Sequence, residues 1–498
     1  MIEVAPLARA FGIVTSWPTI GWILFGLLFG TVIGMIPGLG PNLGMAVVLP
    51  LTIELDGISA VLLLVSIYSG AMYGGSVAAI LINAPGTAAA AATTFDGYPM
   101  SRQGRARDAL SISAISSAFG GAFTILLLIF LSPLLVFIVL LFGSPEYFLI
   151  AILGLALITI VAEGSMVKGL TAGMFGLLLT SIGLPVMTAE PRYTFGLFEL
   201  YNGVHFVVAL IGVFAIGEMI KLANEQEGKI AQGDIEVEGS VLTGAKEVLK
   251  NPVTTVKSAI IGGLIGAIPG AGASISNFIS YGEAMRSSNE DGSFGNGDPR
   301  GVIASEAANN GTVSGSLIPT LSFGIPGSGS MAVLLGGLLM HGIRPGPDLF
   351  TTNLYITQSI FLALLLGNLV ILVAGVLLFT RAGIITQIDT TYIIPLVITF
   401  AVLGSFSLRN NWFDVFSVFA FGVLGFYMSK HDYSIIAFVL GIVLGTIVEE
   451  NLYRSMQLSG DIPVFFTRPL SMVLIVAILA ILFAPVIKNR WERRKTTS

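Results

Sequence analysis

Residues 124–142 read TILLLIFLSPLLVFIVLLF, an apolar run with one proline and no charge. At 1.5 Å of rise per helical residue, a run of this length approaches the roughly 30 Å hydrocarbon core of a bilayer. Residues 361–379 (FLALLLGNLVILVAGVLLF) and 472–487 (MVLIVAILAILFAPVI) repeat the pattern. The rest of the 498-residue chain agrees, being 54% hydrophobic and 11% charged with a mean hydropathy of +0.89. A soluble domain carries roughly 25% charged residues, so this chain lacks the polar surface needed to face water on all sides. It is expected to be an all-α polytopic membrane protein whose surroundings are the lipid bilayer, with no nucleic-acid partner.

Other global features narrow the reading. The net charge of −5 says little about partners, because a membrane protein sorts its charges by loop. The absence of cysteine excludes disulfides and thiolate metal sites, and three scattered histidines are too few for a metal cluster. The N-terminus, MIEVAPLARAFGIV, has no basic region or small-residue cleavage site, so the first apolar run reads as a retained helix. Membrane helices are expected near 17–34, 57–83, 108–142, 146–162, 166–184 and 203–221 in the first half. In the second they are expected near 254–268, 302–323, 351–380, 391–407, 412–428, 433–448 and 470–487.

The main polar interruption, including EQEGKIAQGDIEVEG, divides the chain into a first membrane repeat (1–222), a linker (223–252), a second repeat (253–488) and a basic tail (489–498). Lysines flank the linker and the tail ends KNRWERRKTTS, which places both on the cytoplasmic side of the membrane. Arg9 against Glu3 leaves the N-terminal side open; an outside N-terminus would make the halves inverted, the arrangement expected here.

The halves share three blocks in the same order. GMIPGLG (34–40) is matched by GAIPGAG (266–272), GGSVAAILINAPGT (74–87) by SGSLIPTLSFGIPGS (314–328), and FDGYP (95–99) by MHGIRP (340–345). Two copies of one unit are the architecture of many secondary transporters. Each copy places proline and glycine inside apolar surroundings, in IPGLGPN, NAPGT, IPGAGAS and GIPGSGS. Proline lacks an N–H and glycine permits positive φ, so the helices are expected to break or re-enter there. Open backbone at membrane depth persists only where it is buried in protein or lines a polar cavity.

Half-helix N-termini direct N–H groups at anions, and unwound carbonyls suit Na⁺. The expected substrate-binding residues are therefore Gly40, Asn42, Pro85, Gly86, Thr87, Gly272, Ser274, Pro326, Gly327 and Ser328. The expected cation-binding residues are Gly38, Asn42, Gly270, Ser276, Asn277 and Ser330, with Na⁺ as coupling ion and no other metal or cofactor. The plainer alternative is that these small residues only let helices pack closely. Glu306, Asn309 and Asn310 form a further polar cluster, readable as functional or as the acidic first turn of a helix.

Enzymatic readings fare worse. Gly295-Asn296-Gly297-Asp298 matches an intramembrane aspartyl protease pattern, but its aspartate lies in a polar loop. Ser328 or Ser330 with His341 has no supporting spacing, and no phosphate-binding Gly-x4-Gly-Lys-[Ser/Thr] loop is present. Ion-gradient-driven transport is the expected activity, with a passive channel or scaffold in a larger assembly as the alternative; a pore would tend to show rings of like charge.

YGGSVAAILINAPGTAAAAATTFDGYPMSRQGRA (73–106) and the stretch from GVIASEAANNG to RPGPDLF (301–350) resemble the hallmark blocks of the large permease subunit of tripartite tricarboxylate transporters. IPGLGP (36–41), ISYGEAMRSS (279–288), EENLYRSMQLSG (449–460) and FFTRP (465–469) fit the same family, and the resemblance covers nearly the whole chain. Ala88, Ala90 and Ser305 depart from its pattern, which puts the substrate in doubt and leaves the family in place. The resemblance implies a periplasmic solute-binding protein, a small four-helix membrane subunit, and inward symport of a small carboxylate with Na⁺. Family substrates run from citrate to dicarboxylates and aromatic acids.

Overall fold

A computed structural model describes residues 4–161, 165–185, 190–224, 237–270, 272–288, 293–378, 393–459 and 462–495. The centre of the expected linker (225–236), residues 289–292 and the end of the basic tail (496–498) lie outside the described residues. The first part of the chain forms α1 (Val4–Thr15), α2 (Thr19–Met35), α3 (Pro41–Val48), α4 (Gly57–Ile82), α5 (Ala91–Met100) and α6 (Ala106–Leu140). Then come α7 (Ser144–Val161), α8 (Met166–Thr180), α9 (Phe206–Ile211), α10 (Gly217–Asn224) and α11 (Val241–Lys250). The second part gives α12 (Pro252–Gly266), α13 (Gly272–Arg286), α14 (Pro299–Gly315), α15 (Leu317–Phe323), α16 (Gly329–Met340) and α17 (Leu354–Leu377). It ends with α18 (Ile393–Arg409), α19 (Trp412–Lys430), α20 (Ile435–Ser459), α21 (Val464–Thr467) and α22 (Pro469–Lys495).

Six helices among the described residues are long and apolar enough to cross a membrane. A seventh candidate is the α1–α2 pair, bent by 68°. The chain is thus a multi-pass membrane protein. Several expected spans are shorter apolar helices, α8, α12 and α18 among them, and α16 is a short apolar helix where no span was expected. The expected helix 302–323 is two, α14 and α15, parted at Ser316. Conversely, the long run 108–142 is not interrupted: α6 has 35 residues with Pro133 inside it. At 1.5 Å per residue it is about 50 Å long, so it tilts strongly or stands well clear of the hydrocarbon.

Small residues set the packing. On α2, a Cβ at Gly26, Gly30 or Gly34 would run into the carbonyls of Leu63, Ile67 or Ala71 on α4. Gly70 and Gly74 of α4 meet the α2 carbonyls of Leu27 and Thr31 in the same way. In the second half, Gly262 and Gly266 of α12 rest on Ala308 and Thr312 of α14, and Gly315 on Gly263. Backbone lies directly on backbone, the route by which helices associate where lipid removes the hydrophobic drive between them. Part of the expected linker is ordered: α11 packs Gly244 against Ser111 of α6, and Asp108 accepts the Ser240 N–H at 2.6 Å.

Candidate functional site

All four Pro-Gly elements interrupt helices. The first lies between α2 and α3, where Gly38 takes φ +86°, Gly40 precedes the first turn and Pro41 occupies the first helical position. The second follows α4, which ends on Asn83 in the left-handed region (φ 56°); after Pro85 and Gly86, Thr87 caps the next turn through the Ala90 N–H at 3.3 Å. The third separates α12 from α13, with Gly270 at φ +84° and Gly272 at +65°. The fourth follows α15, which ends on Gly324 at φ +68°; after Pro326 and Gly327, Ser328 caps α16 through the Met331 N–H at 3.3 Å. An αL stop, a Pro-Gly pair and a hydroxyl N-cap thus recur in both halves, each step with a known local cause.

These breaks touch in a closed circuit. Gly86 lies under the Gly34 carbonyl so closely that a Cβ would clash. Beside the second break, Ala89 O accepts Asn277 Nδ2 of α13 at 2.8 Å. The Gly270 N–H donates to Gly327 O at 3.1 Å. Ser330 Oγ, on the first turn of α16, donates to Asn42 Oδ1 of α3 at 2.5 Å. Each break therefore meets its mate in its own half and the opposite break of the other half.

The third repeated block obeys the same exchange. Asp96, fully buried on α5, accepts the backbone N–H groups of Gly295, Gly297 and Asp298 ahead of α14 at 2.8, 2.9 and 2.8 Å. Its counterpart His341, after α16, lies 3.0 Å from Thr52 Oγ1 ahead of α4. Asp298 caps α14 and pairs with Arg300 at 2.6 Å, and His341 lies against Thr52.

The expected site residues fall into two groups. Asn42, Ser274 and Ser328 are half-buried at the first turns of their helices; Gly38 is exposed and Gly40 half-buried. Ser276 and Asn277 are wholly buried and already committed, Ser276 Oγ lying 2.6 Å from Thr312 Oγ1 and Asn277 reaching Ala89, so they brace α13 against its neighbours. Two participants escaped the sequence. Tyr68, buried on α4, sets its hydroxyl within hydrogen-bonding reach of Ser328 and Ser316, and nothing in an apolar run marks it out. Asp96 was visible only as the partner of His341 in the repeat. A separate cavity of about 790 Å³, lined by Arg344, Asp348, Glu449, Glu450 and Arg454 among others, borders the C-terminal ends of α15 and α16 and includes none of the break residues.

The tripartite tricarboxylate transporter TctA family matches residues 20–454. An uncharacterized 52.8 kDa protein in the TAR-I ttuC' 3' region of Agrobacterium vitis is 34% identical over 98% of both chains. A second uncharacterized protein of that organism, in the TAR-II ttuC' 3' region, is 34% identical over 47% of this chain and 98% of its own. No solved structure matches the chain. On the family match over most of its length and the near-complete alignment with a relative of its own size, the chain belongs to the tripartite tricarboxylate transporter TctA family.

Proposed function

We propose that this chain is the translocating subunit of a secondary importer, moving a small carboxylate by Na⁺-coupled symport through the circuit of four breaks. The observation that carries the reading is the circuit itself. Four interruptions of regular helix, far apart in sequence, converge on one another and carry no Lys or Arg within the Pro-Gly motifs. Converging helix N-termini favour an anion and unwound carbonyls favour a cation. The carboxylate is assigned to the N-terminal turns at Asn42, Thr87, Ser274 and Ser328, and Na⁺ to the Gly38 and Gly270 turns with Asn42 and Ser330. Neutral donors bind such a substrate weakly enough to release it.

The crosswise contacts, Asn42 with Ser330 and Ala89 with Asn277, are those that two halves related by a pseudo-two-fold axis would make. An axis in the membrane plane would invert them. In this reading the linker and C-terminus face the cytoplasm of a bacterial cell. A periplasmic binding protein delivers the carboxylate, a tricarboxylate such as citrate or a di- or aromatic acid. A small four-helix membrane subunit completes the assembly.

The test is uptake of radiolabelled citrate and a panel of di- and aromatic carboxylates into proteoliposomes holding this chain, its small subunit and the binding protein. Accumulation is expected only with both the binding protein and an inward Na⁺ gradient. Binding-protein-dependent uptake indifferent to Na⁺ would remove the ion assignment, and no uptake under any gradient would remove the carboxylate.

A further inference from the structure

We infer that Glu306 is a proton-carrying site within the membrane region, loaded in the conformation described here and discharged through the hydroxyls of Thr93 and Ser305 during transport. The inference rests on the transport reading above, but on neither its carboxylate nor its Na⁺.

Glu306 lies in the middle of α14 and is 0% exposed. Ser76 Oγ of α4 and Ser117 Oγ of α6 approach its Oε2 at 2.6 and 2.7 Å, and Thr93 Oγ1 of α5 approaches Oε1 at 2.5 Å. No ion pair among the described residues reaches it. The groups facing it from the packed elements are few. Tyr73 comes from α4, and Asp96 lies one turn beyond Thr93 on α5. On α6, Ser113 and Ser117 face it, while Asp108 is turned toward Ser240. The α12 and α13 charges are Lys257, Glu283 and Arg286, with Glu283 pairing both cations, and Tyr281 of α13 is bonded to Asp96. Those of α11 include the Lys250–Glu247 pair, and α17 carries none. An ionised carboxylate here would be a buried charge without a counter-charge, the arrangement that proteins tolerate least.

The hydroxyls permit both protonation states. Thr93 Oγ1 and Ser305 Oγ are 3.0 Å apart, and Ser305 Oγ lies 3.0 Å from the Gly301 carbonyl. With Glu306 neutral, Oε1–H donates to Thr93, Thr93 to Ser305 and Ser305 to Gly301 O; Oε2 accepts from Ser76 and Ser117. The hydroxyl hydrogens of Ser76, Thr93, Ser117 and Ser305 then each have one acceptor. Ser305 is itself fully buried, its Oγ meeting Thr93 and the Gly301 and Val302 carbonyls, so discharge waits on a transport motion that opens Ser305 to water. Glu306 then passes its proton to Thr93, Thr93 its own to Ser305, and Ser305 its own to that water. The row then reverses, Ser305 donating to Thr93 and Thr93 to the carboxylate. Asp96 is not the acceptor, since Tyr281 and three backbone N–H groups already fill its oxygens.

The test is infrared spectroscopy of the full chain in lipid, with Ser76→Ala, Thr93→Val and Glu306→Gln beside the native protein. The C=O stretch of a protonated, buried carboxyl is expected in the native protein at neutral pH and absent from E306Q. S76A should keep the band but shift it upward as one donor is lost. In proteoliposomes with a trapped pH dye, proton entry on addition of whichever carboxylate is taken up should fall at least tenfold in E306Q and in T93V. Absence of the band from the native protein, or its persistence in E306Q, overturns the loaded state. Native-level proton entry in E306Q or T93V overturns the carrying role. If no carboxylate moves, the transport reading fails first, and the band still decides whether Glu306 holds a proton.

Discussion

Gly86→Ala tests whether the breaks depend on one another. A Cβ at this position would sit 2.9 Å from Gly75 Cα and 3.0 Å from the Gly34 carbonyl carbon, and closer still to the Gly34 oxygen. Carbon atoms settle at about 3.5–4.0 Å, and the Gly34 oxygen is nearer than either carbon, so the second break must withdraw from the end of α2 by more than about 1 Å. That shift also breaks the Gly86 N–H bond to Gly75 O, now 3.2 Å. Overpacking of this kind costs about 1–3 kcal/mol and the lost hydrogen bond about 1, giving roughly 2–4 kcal/mol. The second-half counterpart differs: a Cβ at Gly327 would meet nothing nearer than the Gly266 oxygen at 3.3 Å. Thermal unfolding in nanodiscs should therefore fall by several degrees for G86A and stay near native for G327A, with uptake following the same order. Equal behaviour of the two variants, in either direction, would refute the argument that contact of Gly86 with α2 sets the site.

Other consequences are as direct. Gly30→Ala should loosen the α2–α4 seam and lower thermal stability, whereas Gly12→Ala, with nothing within 4 Å of its Cβ, should not. Removing either partner of the Asn42–Ser330 contact should raise the Na⁺ concentration for half-maximal uptake severalfold; an unchanged Na⁺ profile would take both out of the ion site. The chain has no cysteine, so Asn42→Cys with Ser330→Cys gives a clean pair. A short reducible cross-linker across it should stop uptake until reduced, and unimpeded uptake would show that the two halves need not part there. Arg468→Ala strips the guanidinium 2.6 Å from the fully buried Glu146 and should cost about 2–3 kcal/mol in unfolding assays, below the 3–5 of a wholly buried pair, because Arg468 is itself half-exposed.

Much of this was legible in the residues. The Pro-Gly pairs announced broken helices because a proline without an N–H stands beside a glycine free to leave the helical region, whereas the lone Pro133 is carried inside α6. The family was legible in its long blocks for the same reason: they carry the breaks and caps. The crosswise contacts were not legible. Nothing in a single sequence says that Asn42 will meet Ser330, and not Ser274, since that follows from how two helix pairs dock. Span lengths misled where polar residues sit inside an enclosed helix. The α14 segment reads as polar at ASEAANNG because its environment is other helices and hydroxyls, not lipid. Ser276 and Asn277 have the chemistry of ligands, and packing has used it for bracing.

The backbone-on-backbone seams carry a consequence for how such a chain can diversify. Along α2, α4 and α12, the glycines in contact tolerate no added atom, so drift at these positions is closed to selection for a new substrate. Ser274 and Ala88 are under no such constraint, since one is half-buried and the other exposed at the mouth of a helix. On the proposed site, a new specificity is expected from exchanging these short side chains while the framework stays fixed. Directed evolution that randomises only helix mouths should therefore recover altered substrate ranges far more often than randomisation of the seams.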